Sequence, residues 1–143
     1  MTKRSTSTAR SLPIALLRAR EKVMSPIRGM LADVGLTEQQ WRVLRVLEEE
    51  GPMEPTRISD LACLLLPSLT RILQRLEEKK LIQRKPDKAD RRRQIVKITP
   101  IGVQMIDANL EANLQALEGV RTRMGRDRYD LLLDLLNELD EQG

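Results

Sequence analysis

The stretch from Leu66 to Thr99, LPSLTRILQRLEEKKLIQRKPDKADRRRQIVKIT, limits the fold more than any other part of the chain. Its first half places Leu69, Ile72, Leu73 and Leu76 at helical spacing, which gives one apolar stripe. The opposite face carries Pro67, Arg71, Gln74 and Glu78, flanked by Ser68, Thr70 and Arg75. The second half reads as a hairpin: one strand over Leu81–Lys85 and an alternating strand over Gln94–Thr99. Between them lies the turn-rich loop PDKADRRR. A helix followed by a basic hairpin has the form of a helix for the major groove of a duplex and a wing for its backbone or minor groove.

Charge supports that reading. From Lys79 to Lys97 nine Lys/Arg stand against Asp87 and Asp90, a local net charge of +7. The whole chain carries only +4, so the remainder is net acidic. A solvated surface face is the bland explanation of any charge run, but asymmetry of this size points to a polyanionic partner. Aromatics are nearly absent, with one Trp, one Tyr and no Phe. That disfavours a single-strand binder that stacks bases on rings, and favours double-stranded DNA read by polar side chains.

Other function classes lack their residues. The chain has no His and one Cys. A Cys/His zinc cluster, a histidine-based nucleophile and an intramolecular disulfide are therefore ruled out. No Gly-rich phosphate loop or paired catalytic carboxylates appear, so no enzyme, metal or cofactor is expected. No apolar run approaches a membrane span, and the polar start MTKRSTSTAR reads as a flexible arm over residues 1–10 of a cytoplasmic protein.

With 143 residues, 41% hydrophobic and 32% charged, the chain supports a single domain with its own core. Ser11–Val34 reads as a first helix with Pro13 in its opening turn and Pro26 set to kink or divide it. Thr37–Glu50 reads as a second, started by a Thr37/Gln40 capping box and stopped by Gly51-Pro52, with Trp41, Val43, Leu44 and Leu47 inward. Pro55–Ala62 is a short third helix with Ile58, Leu61 and Ala62 inward. With the helix from Pro67 it makes a helix-turn-helix whose turn lacks the usual Gly. Cys63, in that turn, reads as a buried structural thiol.

Thr99-Pro100 caps the next helix, whose Val103, Ile106, Leu110, Leu117 and Val120 follow a heptad seam with Asn113 in the missing position. A last helix over Asp127–Glu141 carries Leu132, Leu135, Leu136 and Leu139 as a stripe. These terminal helices pack either within one chain or between two copies. Twofold symmetry favours the homodimer, because one helix-turn-helix reads few bases. The expected fold is mainly α with a small β-hairpin wing: a winged helix-turn-helix over 37–99 and a helical dimerisation layer from 11–36 and 100–143.

The runs LTEQQWRVLRVL, PSLTRILQRLEEKKLIQR and DRRRQIVKITPIG, in that order, resemble the MarR family of winged-helix regulators. The likeness runs from about Leu12 to the end. The family's wing signature, Asp-x-Arg and then a strand ending Leu-Thr, is Asp90-Arg91-Arg92 running to Ile98-Thr99, with Ile for Leu. IALLRAREKVMS, LTEQQWRV and the Cys63–Thr70 run resemble the homoprotocatechuate-degradation operon repressors within that family. The resemblance implies a homodimeric repressor that binds a palindromic operator and is released by an aromatic acid of the 4-hydroxyphenylacetate type.

On that footing Ser68, Thr70, Arg71 and Gln74 belong in the major groove, Arg71 suiting guanine and Gln74 adenine, and Pro67 joins them as a DNA-binding residue. Arg75 either contacts phosphate or pairs with a carboxylate. Arg92 reaches the minor groove from the wing tip, held by a bidentate pair with Asp90, while Arg91 and Arg93 hold phosphates or stay solvated. For the effector, Arg18, Arg20, Met24 and Trp41 lie in the segments that would line a pocket; the alternative is that Met24 and Trp41 are core and the arginines surface. The competing function is a winged-helix module that docks on an acidic protein without reading DNA sequence.

Overall fold

The computed structural model describes residues 7–142. The proposed arm therefore lies largely outside the described residues. Its last part, Thr8–Arg10, is a single 3-10 turn capped by the Ser7 hydroxyl. Six helices and one hairpin follow: α1 (Leu12–Ala32), α2 (Glu38–Glu50), α3 (Pro55–Ala62), α4 (Leu66–Glu78), β1 (Ile82–Pro86), β2 (Gln94–Ile98), α5 (Pro100–Met124) and α6 (Arg126–Glu141). The chain forms two compact units. One is Met30–Glu111; the other joins the described residues up to Gly29 with those from Ala112 onward.

The Met30–Glu111 unit is a winged helix-turn-helix. The capping box opens α2 as expected: the Gln40 N–H donates to Thr37 Oγ1, and the Thr37 N–H donates to Gln40 Oε1, both at 3.1 Å. Such a cap stabilises a helix by about 1 kcal/mol. α2 buries Val43, Leu44 and Leu47, α3 buries Ile58 and Ala62, and α4 buries Leu69, Leu73 and Leu76. Leu81, Ile82 and Val96 of the hairpin complete that core. Leu61 does not join it. It is 42% exposed, because a helix of eight residues turns only part of its surface inward.

The strands pair antiparallel with Ile82 opposite Ile98 and Pro86 opposite Gln94. Val96 also exchanges two backbone hydrogen bonds with Met53, at 3.0 and 2.8 Å, so the link before α3 lies along the wing as a one-residue third strand. Thr99 caps α5: its hydroxyl donates to Lys80 O at 2.7 Å and accepts the Gly102 N–H at 3.1 Å.

Two turns use left-handed backbone without glycine. Cys63 closes α3 at φ 55° and Lys80 follows α4 at φ 64°. Cys63 is exposed, not buried, because the sharp turn into α4 lifts it off the core. A Cβ in this conformation costs free energy that glycine avoids. Lys80→Gly is expected to raise stability by roughly 1 kcal/mol, read as a higher midpoint in urea; a lower midpoint would mean that the lysine side chain contributes more than its backbone costs.

In the other unit Pro26 lies inside α1 without dividing it, since one missing N–H removes a single helical bond and the neighbouring turns carry on. α6 buries no residue: Leu132 is 39% exposed, Leu135 53% and Leu139 44%. Asn113, at the polar position of the α5 seam, is buried.

Candidate nucleic-acid interface

The outer face of α4 is built by default. Its apolar stripe is consumed by the core, so Pro67, Ser68, Thr70, Arg71, Gln74 and Arg75 remain outside, and all six are exposed. Pro67 sits in the first turn, where no N–H is needed. Pro67, Ser68, Arg71 and Arg75 line one groove of about 580 Å³ with Thr37, Gln39 and Gln40 from the start of α2. Thr70 and Gln74 share the helix but not the groove. The Thr70 hydroxyl donates to Leu66 O at 3.2 Å. Neither Arg71 nor Arg75 has a carboxylate partner among the described residues, so both guanidiniums are available to an external anion. The contribution of Gln39 was not readable from the sequence, because only the packing of α2 beside α4 brings it there.

The wing tip is locally ordered. The Asp87 N–H donates to Arg93 O at 2.8 Å and the Arg93 N–H to Asp90 O at 3.0 Å. Asp90 Oδ1 accepts the Arg92 backbone N–H at 3.1 Å and Arg92 Nε at 3.2 Å, while Oδ2 accepts Nη2 at 3.3 Å. This is the bidentate pair expected from the motif. The Arg92 side chain remains 91% exposed, so Asp90 fixes its direction without covering it. The Arg92 side-chain hydrogen bonds, followed by its backbone N–H, lower the Asp90 pKa below its usual value.

The other wing cations divide by role. Arg93, where the tip turn meets β2, forms an ion pair with Glu54 just ahead of α3, so it braces the wing from its tip end although its side chain is 56% exposed. Arg84 of β1 donates from Nε and Nη2 to Glu77 Oε1 of α4, at 3.2 and 2.7 Å. That hydrogen bonding also lowers the Glu77 pKa, against a smaller opposing effect of desolvation. The wing is thus tied to α4 through β1 and to the N-cap of α3 through the residue that precedes β2. Lys79 caps the carbonyl of Gly35. Arg91, Lys85, Lys88 and Lys97 stay exposed.

For a carboxylate whose folded pKa is depressed, the stabilising contact is present above the unfolded value and is lost as pH falls through the folded one. The Asp90–Arg92 pair is therefore expected to stay intact from pH 7 to 5 and to open only in more acid solution. A carboxyl NMR titration of Asp90 should show its midpoint below the ordinary value of 3.8; a midpoint at or above that value would mean that the pair does not persist in solution.

The four residues proposed for an effector are divided between the units. Arg18, Arg20 and Met24 belong to the terminal unit and Trp41 to the winged one. Met24 and Trp41 are half-buried, and Arg18 and Arg20 are exposed. Arg18 lines a shallow cleft of about 600 Å³ with Glu21, Lys22, Ser25, Pro26 and Arg123.

Residues 36–93, from the corner before α2 to the wing, match the MarR family model. The HTH-type transcriptional regulator FarR of Neisseria gonorrhoeae is 37% identical over 129 residues, covering 90% of this chain and 88% of that protein. The chain belongs to the MarR family. A second relative, the homoprotocatechuate degradative operon repressor of Escherichia coli, is 35% identical over 90% of this chain and 86% of its own. Among solved structures, NadR in complex with 4-hydroxyphenylacetate superposes with a TM-score of 0.78 at 37% identity, covering 88% of this chain and 89% of that one. Among the described residues no helix is long and apolar enough to cross a membrane, and no group of His, Cys, Asp and Glu could hold a metal ion.

Proposed function

We propose that this MarR-family chain is a DNA-binding transcriptional repressor, not an enzyme, that acts as a homodimer on a palindromic operator and is released by a small aromatic acid. One observation carries the reading. Six exposed side chains on α4 stand beside a wing whose tip arginine is oriented by Asp90 and left free of cover. Ser68, Thr70, Arg71 and Gln74 read base edges, with Arg71 donating to guanine O6 and N7. Arg75, with no carboxylate beside it, takes a phosphate. Arg92 enters the minor groove, and Arg91 holds backbone. Arg93 supports the wing through Glu54. The two copies join through 11–36 and 100–143.

The aromatic effector is proposed because NadR is described with 4-hydroxyphenylacetate and the Escherichia coli relative is named for homoprotocatechuate degradation. Within the terminal unit Arg18 and Arg20 are the candidate cations for the effector's carboxylate and Met24 a candidate apolar contact for its ring, and Trp41 of the winged unit is a separate apolar candidate. Release requires the acid to bind the DNA-incompetent arrangement of the dimer more tightly than the competent one.

Gel shifts test the reading. Arg71→Ala should lose about 1–3 kcal/mol on the preferred sequence and relax preference at one position. An equal loss on random DNA would make Arg71 a phosphate contact. Arg92→Ala should weaken operator binding while the fold is kept; unchanged affinity at moderate salt would remove the wing from the interface. Millimolar 4-hydroxyphenylacetate should dissociate the complex, and its failure to do so would exclude that acid as inducer.

A further inference from the structure

Leu65 is 78% exposed, the highest value among the large apolar side chains of the described residues. It occupies the N-cap of α4 and makes no side-chain capping bond. Ser, Thr, Asp or Asn at that position would satisfy a free N–H of the first turn, so a leucine there forgoes local stability. Leu66, the next residue, is 44% exposed, and Leu64 lines the same groove as Pro67, Ser68 and Arg71. Single exposed leucines are ordinary. A pair at the leading end of a recognition helix, continuous with its polar reading face, breaks a local rule where a contact is made.

The chemistry of the partner follows from the place. The N-terminal residues of a recognition helix meet base edges in the major groove. Among those edges the apolar group is the C5-methyl of thymine. Leu66 lies one turn before Thr70 and two before Gln74, on the same row of the helix. The Thr70 hydroxyl is already turned to Leu66 O, which leaves its methyl for an outside contact.

We infer that Leu65 and Leu66 read thymine methyl groups in each operator half-site and so set part of the sequence preference. This rests on α4 being the DNA-reading helix. The test uses the full-length protein and an operator selected from random DNA, in which each thymine of a half-site is replaced in turn by deoxyuridine. The swap removes one methyl and leaves base pairing unchanged. Wild-type protein should lose roughly fourfold in affinity per contacted methyl. Leu65→Ala and Leu66→Ala should bind more weakly, keep the preference set by Arg71 and Gln74, and lose most of the sensitivity to deoxyuridine. Both positions are exposed, so circular dichroism should show the native fold in each variant.

Specific binding by wild type that is indifferent to every deoxyuridine swap, or a selected half-site without thymine, overturns the inference and leaves DNA reading intact. Equal losses by the alanine variants on thymine and deoxyuridine DNA overturn it as well. Absence of any sequence preference in the wild-type protein removes the DNA reading and this inference together.

Discussion

Gly102→Ala is expected to destabilise the winged unit by about 1–3 kcal/mol. Gly102 is buried in the first turn of α5. A Cβ there would collide with the Leu81 carbonyl oxygen and stand 2.6 Å from Ile98 Cγ1. The first contact is with backbone, held by the Thr99 N–H bond to the same carbonyl at 3.0 Å. No side-chain rotation relieves it. The helix must shift away from the hairpin, or the hairpin must shift from α4, and either change disturbs the wing. Chemical denaturation should report a lower midpoint, and operator affinity should fall with the wing displaced. A variant with wild-type midpoint would show that α5 does not pack this closely in solution. Gly119→Ala is the control, since its added methyl would meet nothing closer than the end of the Arg123 side chain at 4.0 Å.

The second large effect concerns assembly. Leu132→Asp with Leu135→Asp is expected to leave the winged unit folded, to convert the protein to a monomer and to weaken operator binding by about 100- to 10,000-fold, the range gained when two binding modules are linked. The motive is the exposed stripe of α6, where Leu132, Leu135 and Leu139 face solvent in a single chain. Burying each in a second copy contributes roughly 1.5–3 kcal/mol, and an aspartate in its place would have to be desolvated without a partner. Sedimentation should show half the wild-type mass. A double variant that stays dimeric would mean that the copies associate through another surface, and a monomer with full operator affinity would mean that pairing is not needed for binding.

Much of the winged unit was legible in the sequence because its determinants are local. The stripe of Leu69, Leu73 and Leu76, the Thr37/Gln40 box and Thr99-Pro100 each act within a few residues, so spacing reveals them, and the Asp90–Arg92 pair follows from the resemblance of the wing to the MarR signature. Elements set by contacts between distant segments were hidden. The Met53–Val96 bridge, the Glu54–Arg93 pair and the place of Gln39 beside Arg71 depend on the packing of α2, α3 and α4. Nothing near Arg93 in sequence distinguishes it from Arg91, and both are exposed, yet Arg93 is the one that pairs with Glu54. Cys63 looked like core because most free cysteines are buried. It is exposed because the turn without glycine requires a left-handed residue at that point. Gly102 gave no sign of its role, since a glycine in a helix reads as a weak point until the carbonyl it accommodates is known.

Selection of preferred duplexes from a random DNA pool by the wild-type protein, at moderate salt, tests most directly whether α4 and the wing read an operator in duplicate. The expected result is an inverted repeat whose half-site centres lie about one helical turn apart, bound by two chains and lost on a single half-site. A pool that yields no enriched sequence, or one bound equally well as a half-site by a single chain, would contradict it.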